Sequence, residues 1–131
     1  MIGVKLPQNV VKLIEEKNFA HLATLLHDGS PHVAPVWVDH EGDIILVNTA
    51  VGRVKYKNIL KDTRVALSIT EQNNPYNRVE IRGRVISLTR EGAEEHIDKL
   101  AKKYTGAKTY QKSSLNEKRI IIKIEPLHIS S

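Results

Sequence analysis

The residues best suited to chemistry lie in one stretch, VGRVKYKNILKD, Val51–Asp62. Arg53, Lys55, Lys57 and Lys61 make it strongly basic. It follows an apolar run, Ile44–Val47, that reads as a buried or half-buried strand, and Asn48-Thr49-Ala50-Val51-Gly52 reads as a turn. From Arg53 the spacing predicts a short helix with Ile59 and Leu60 on its apolar side. Free backbone N–H groups at a helix start, with cations a few residues on, suit a phosphate. Strand, turn and basic helix start together make an anion cradle. The same pattern also fits the solvated face of a basic protein. Neither usual nucleotide loop, G-x-x-x-x-G-K-[ST] or G-x-G-x-x-G, is present to decide between the two.

Other chemistries find little support. The six histidines, His21, His27, His32, His40, His96 and His128, show neither H-x-x-x-H nor H-E-x-x-H spacing, so no metal ligands are assigned. There is no G-x-S-x-G elbow, and Ser30, Ser68 and Ser87 lack the context of a nucleophile. Cysteine is absent, which removes thiolate chemistry and disulfides. Glu15-Glu16 and Glu94-Glu95 read as helix-surface charges. No catalytic side chain is assigned. If the chain is an enzyme, a cofactor carries the chemistry and the protein supplies binding and orientation.

The elements that must position the basic stretch follow from periodicity. Pro7 starts a helix carrying Val10, Val11, Leu13 and Ile14, which ends near Lys17-Asn18. Phe19–Leu26 and Pro31–Asp39 are strands joined by the hairpin turn His27-Asp28-Gly29-Ser30. Pro35 inside the second strand implies an edge or a bulge, because it cannot donate to the ladder. His40-Glu41-Gly42-Asp43 turns the chain into Asp43–Val47. After the basic helix, Arg64–Thr70 and Val79–Leu88 alternate as strands, separated by a loop at Asn73-Asn74-Pro75. Gly83 in the long strand suggests a bulge or sharp bend. Thr89 reads as the cap of a helix whose apolar side is Ala93, Ile97, Leu100, Ala101 and Tyr104, ended by Gly106. Ala107–Asn116 is a polar loop, and Arg119–Ile124 is the last strand, followed by Pro126. Tight turns between six strands predict a mainly β chain: a small antiparallel barrel with flanking helices.

Composition sets the frame. A chain of 131 residues, 40% hydrophobic and 27% charged, suits one globular domain over residues 1–131. The N-terminal MIGVKLPQNVVKL shows no signal peptide or membrane span, and with no cysteine a cytoplasmic location is expected. The net charge of +5 favours anionic partners. Phe and Trp occur once each, too few for a base-stacking surface, so nucleic acid is not expected as a partner.

Three pieces, taken in order, carry a family resemblance. They are the hairpin FAHLATLLHDGSPHVAPVWVDHEGDIIL, the pair Arg53-Val54-Lys55-Tyr56-Lys57-Asn58 with Asp62–Leu67, and the long strand around Arg82-Gly83-Arg84. From Val10 to Ile124 the chain resembles the pyridoxamine-phosphate-oxidase-like split-barrel flavoproteins, especially the branch of deazaflavin-dependent reductases. The resemblance implies a six-stranded split barrel and a homodimer with cofactor sites at the subunit interface. It implies that Arg53 and Lys55 hold the cofactor phosphate, with Lys57 and Asn58 nearby. Asn48, Thr49 and Ala50 would touch the ribityl chain or phosphate, and Pro35, Val36 and Trp37 would lie along the isoalloxazine edge. Arg78, with Tyr76 near it, would reach the flavin from the second subunit. The second strand offers His32 and no other cation, Val54 separates Arg53 from Lys55, and the C-terminal substrate segment of the oxidases proper is missing. Those departures point away from pyridoxamine phosphate and toward the deazaflavin coenzyme F-420, with FMN as the alternative cofactor. The implied function is hydride transfer to or from a small conjugated substrate; a flavin carrier, sensor or store without turnover is the competing reading.

Overall fold

The computed structural model describes residues 3–131. Helix α1 (Gln8–Glu15) precedes strands β1 (Ala20–Leu25), β2 (Pro31–Val36), β3 (Val38–Glu41) and β4 (Ile44–Ala50). Helix α2 (Val54–Lys61), β5 (Arg64–Glu71), β6 (Asn74–Thr89), α3 (Ala93–Thr105) and β7 (Arg119–Ser130) complete the chain. All strand pairs are antiparallel, in the order β2-β1-β5-β6-β7-β4-β3. The fold is mainly β, as expected, but with seven strands instead of six.

The extra strand corrects the reading of Pro31–Asp39 as one element. β2 pairs with β1 at one edge of the sheet, and β3 pairs with β4 at the other. Only Trp37 separates them in sequence. The sheet must therefore curl until its two edges meet at Trp37, which makes a half-barrel. Pro35 does lie on an edge strand, where a missing N–H costs no ladder bond.

Alternate residues of the strands fill the curl. Ala20, Leu22, Leu67, Ile69, Val79, Ile81, Ile122 and Ile124 are all buried. Each large side chain so removed from water contributes about 1.5–3 kcal/mol before entropy is counted. α1 adds Val10, Leu13 and Ile14 to this cluster. α2 adds Ile59 alone; Leu60, expected beside it, is 58% exposed. α3 buries the five residues that its spacing predicts, and Gly106 closes it at φ +80°.

Four boundaries differ from the sequence reading. β4 runs on through Asn48, Thr49 and Ala50, so the turn falls later, at Gly52, with φ +96°. β6 starts at Asn74, which moves the loop to Gln72-Asn73. Thr89 ends β6, and Gly92 rather than Thr89 occupies the cap position of α3. β7 continues past Pro126, which stands opposite Gly83. A side chain at Gly83 would bring its Cβ to 2.4 Å from the Glu125 carbonyl oxygen, and the register shifts beside it. The bend inferred from this glycine is thus a close approach of two strands.

The crossing at Trp37 is held from α3. The buried Tyr104 hydroxyl donates to the Asn18 carbonyl at 2.6 Å and accepts from the Val38 N–H at 3.2 Å. Asn18 itself is buried; it donates from Nδ2 to the Leu13 carbonyl and accepts from the Gln72 N–H. The Tyr104 ring stacks on Trp37, with centroids 5.2 Å apart and planes 5° from parallel. Tyr104→Phe keeps the ring and strands two buried backbone groups. The expected loss is about 1–3 kcal/mol, read as a lower urea midpoint at unchanged slope. A loss below about 0.5 kcal/mol, the size of an ordinary surface substitution, contradicts this role.

Candidate cofactor site

A cleft of about 200 Å³ opens where β4 hands over to α2. Pro35, Val36 and Trp37 form one wall, at the crossing between the sheet edges. Asn48 and Thr49 form the floor, and Arg53 and Lys55 stand at the start of α2. Phe19, Ile97, Tyr110 and Arg119 complete the lining. Seven residues singled out in the sequence therefore meet in one place: Pro35, Val36, Trp37, Asn48, Thr49, Arg53 and Lys55.

The others lie elsewhere. Ala50 is buried just beyond Thr49, paired across the ladder with Arg119. Lys57 is exposed on α2. Asn58 is buried and donates to the Thr24 hydroxyl at 2.9 Å, docking α2 on β1. Arg78 is half-exposed on β6 beside Glu80, at 3.8 Å, and does not line the cleft of its own chain. Tyr76 is 88% exposed.

Arg119 is the main residue that the sequence reading missed. It heads the apolar strand RIIIKI and is only 3% exposed. Its Nε donates to Asn48 Oδ1 at 2.9 Å, and its Nη1 donates to Glu117 Oε2 at 2.8 Å. Its guanidinium lies 4.8 Å over the Tyr110 ring. Because Arg119 can only donate, it fixes which way the Asn48 amide faces. Asn48 Nδ2 then points at the Ala93 carbonyl and at His96 Nδ1, 3.0 and 3.1 Å away. That leaves His96 Nδ1 as the acceptor and Nε2–H as the donor to Asp39 Oδ2 at 3.1 Å. Burial pushes the Asp39 carboxyl up, but the bonds from His96 and the His40 N–H, with Lys99 close by, hold it well below its ordinary value. Both amide hydrogens of Asn48 are thus spent inside the protein. Asn48 positions Arg119 rather than offering a donor to a ligand.

Two features mark the cleft as a place for an anion. Burial lowers the pKa of the Lys55 ammonium, and the charges of Arg53 and Arg119 lower it further. Three cations facing one another raise the local potential, which an incoming negative group relieves. Second, the Thr49 hydroxyl is buried without a partner at the floor of the cleft. An orphan hydroxyl of this kind calls for a ligand oxygen or water. A larger groove, about 600 Å³, lies over β1, β5 and β6. It has Arg64 and Arg82 at its rim, but Arg64 is committed to Asp62 at 2.7 Å. Among the described residues no three histidines or carboxylates gather as metal ligands.

Glu117 balances the cluster. Burial favours its neutral form, yet hydrogen bonds from the Ser113 hydroxyl and N–H, with Arg119, bring its carboxyl down from 4.5 to about 2. A depressed carboxyl adds stability that is complete above the unfolded value and lost as pH falls from about 4.5 toward about 2. In that window the native chain should lose urea resistance more steeply than Glu117→Gln, which has no proton to take up there. Parallel curves for the two proteins contradict the assignment.

The comparisons with known proteins agree with this fold. The family model described as pyridoxamine 5'-phosphate oxidase matches residues 6–131. A solved F420 reductase is 29% identical, with TM-score 0.83 over 95% of this chain and 98% of its own. A conserved hypothetical protein from Mycobacterium tuberculosis is 20% identical, with TM-score 0.71 over 97% and 84% of the two chains. General Stress Protein 26 from Bacillus anthracis is 19% identical, with TM-score 0.67 over 93% and 89%. These last two show the fold alone. No curated protein matches. With the family model spanning almost all of a curled antiparallel half-barrel, the chain belongs to the pyridoxamine 5'-phosphate oxidase family of split-barrel proteins.

Proposed function

We propose that the cleft binds a flavin-type cofactor, the deazaflavin coenzyme F-420 ahead of FMN, and that the protein is an oxidoreductase acting on a small conjugated substrate. The observation that carries this reading is the conjunction of Arg53, Lys55 and the unpartnered Thr49 hydroxyl beside an edge strand. The family match and the likeness to an F420 reductase support it.

The residues divide the work. Arg53 and Lys55 hold a phosphate by charge-assisted hydrogen bonds. Thr49 Oγ1 donates to a phosphate or ribityl oxygen. β2 is an edge strand, so part of its backbone N–H and C=O groups lack ladder partners. Those near Val36 can meet the polar edge of a pyrimidine ring, while Pro35 has no N–H to offer. Trp37, Phe19 and Ile97 supply apolar walls that keep water from the ring. When bound, the cofactor supplies hydride chemistry. Among the described residues no helix is long and apolar enough to cross a membrane.

A homodimer belongs to the same reading. Arg78 lies outside its own chain's cleft, and Val33 on β2 and Phe19 before β1 are 64% and 47% exposed. A second copy related by a two-fold axis would cover this face and bring an Arg78 to each cleft. Light scattering with cofactor present should give twice the chain mass. A monomer at micromolar concentration contradicts the shared site.

The cofactor site is tested directly by Lys55→Ala. One charge-assisted bond to phosphate is worth about 1.5–3 kcal/mol. Binding of FMN and of the deazaflavin should therefore weaken about 10- to 100-fold, with the fold retained. Unchanged dissociation constants for both remove the site. Reduced deazaflavin with a panel of enones and quinones then separates an enzyme from a carrier.

A further inference from the structure

The cation cluster is not left open to any anion, because one carboxylate already sits in it. Glu117 comes from the segment between α3 and β7, and its side chain is 4% exposed. Oε2 meets Arg119 Nη1 at 2.8 Å, and Oε1 lies 4.0 Å from Arg53 Nη2. Oε1 also accepts from the Ser113 N–H and hydroxyl, at 3.1 and 2.6 Å. The carboxylate therefore bridges two of the three cations that line the cleft, and four contacts pin it there.

Its charge is screened weakly because it is buried. It cancels about one cation's worth of the attraction that Arg53, Lys55 and Arg119 exert on a ligand. A phosphomonoester brings a charge of about −1.5 to −2 at pH 7, since its second pKa is about 6; a phosphodiester brings a single charge. The second charge of the monoester meets the repulsion of Glu117 in addition to the attraction of Arg53. We propose that Glu117 is a specificity-determining residue: it penalises the second charge of a phosphomonoester and shifts the cleft toward a phosphodiester. This rests on the cofactor reading above and adds to it the chemical class of phosphate preferred.

The consequence reaches beyond affinity. Arg53 is half-exposed and only loosely held by Glu117, whereas Arg119 is buried and held tightly. Arg53 is thus the cation free to turn to the ligand, and Arg119 is the one that keeps Glu117 in place. Tyr110 lies between them and the crossing, with its ring edge-on to Trp37 at 6.2 Å. Trp37 is the chain's one tryptophan, so its fluorescence reports on occupation of the cleft.

The test compares FMN with its monomethyl phosphodiester, which share a ring and differ by one charge at the phosphate. Titrations at pH 8, followed by Trp37 fluorescence, are made on the native chain and on Glu117→Gln. FMN should tighten about 5- to 10-fold and the ester about 2- to 3-fold, as expected for one or two charges repelled across a partly solvated cleft. The ratio of the two affinities is the decisive quantity, because a displaced Arg119 weakens both ligands, the dianion more, and so moves the ratio the opposite way. Ser113→Ala keeps the charge and the backbone N–H bond but removes the hydroxyl bond that helps pin it, and should shift the ratio in the same direction by less. An equal change for both ligands, or none, overturns this proposal and leaves the cofactor reading standing. Failure of both flavins and of the deazaflavin to bind the native chain overturns the two together.

Discussion

Everything in this fold depends on how one hydroxyl group, Tyr104 Oη, brackets the chain where the sheet closes. It accepts from Val38 and donates to Asn18, so it ties the first residue after the crossing to the turn that precedes β1. Without that bracket nothing local tells the chain to leave one sheet edge at Val36 and join the other at Val38. The same ring lies flat on Trp37, and so the closing interaction also builds a wall of the cleft. Stability and site geometry are here one interaction, and the position of Trp37 is inherited from α3.

The floor of the cleft is ordered in a similar way, by donors and acceptors that allow one arrangement. Arg119 can only donate, so Asn48 must present its oxygen to it, and His96 must present an unprotonated Nδ1 to Asn48. Asp39 terminates the chain of bonds, with Lys99 beside it. The result is a buried guanidinium held by two side-chain hydrogen bonds under a cleft whose other cations, Arg53 and Lys55, stand more exposed at the start of α2. One buried charge and two more exposed ones together face an anion that enters the cleft.

How much of this could be read in the sequence follows from the range of the interactions concerned. Arg53, Lys55 and Thr49 lie within a few residues of one another, so the cradle they form was legible as a local pattern. The buried face of α3 and the irregularity at Gly83 were legible for the same reason, though not that the glycine there admits a close approach of β7. The break at Trp37 was not: Val33–Val38 is an unbroken apolar run with no turn signal at Trp37, and the residue that holds the break lies on a helix much later in the chain. Asn48 and Thr49 looked like turn residues because that is their local preference. Partners from α3 and β7 override it for Asn48, and β7 pairs with both. Arg119 looked like an ordinary strand start. The sign available was Glu117 two residues earlier, since a carboxylate and a cation heading an apolar strand suggest a buried pair.

The central claim is that the small cationic cleft, not the larger groove over β1, β5 and β6, receives a phosphate-bearing flavin-type cofactor. A crystal structure of the protein with the deazaflavin coenzyme decides this most directly. The account predicts the phosphodiester within hydrogen-bond distance of Thr49 Oγ1, Arg53 and Lys55, and the ring edge along Pro35, Val36 and Trp37. Cofactor density in the groove beside Ala66 and Arg82, with the cleft at Thr49 filled only by water, would contradict it.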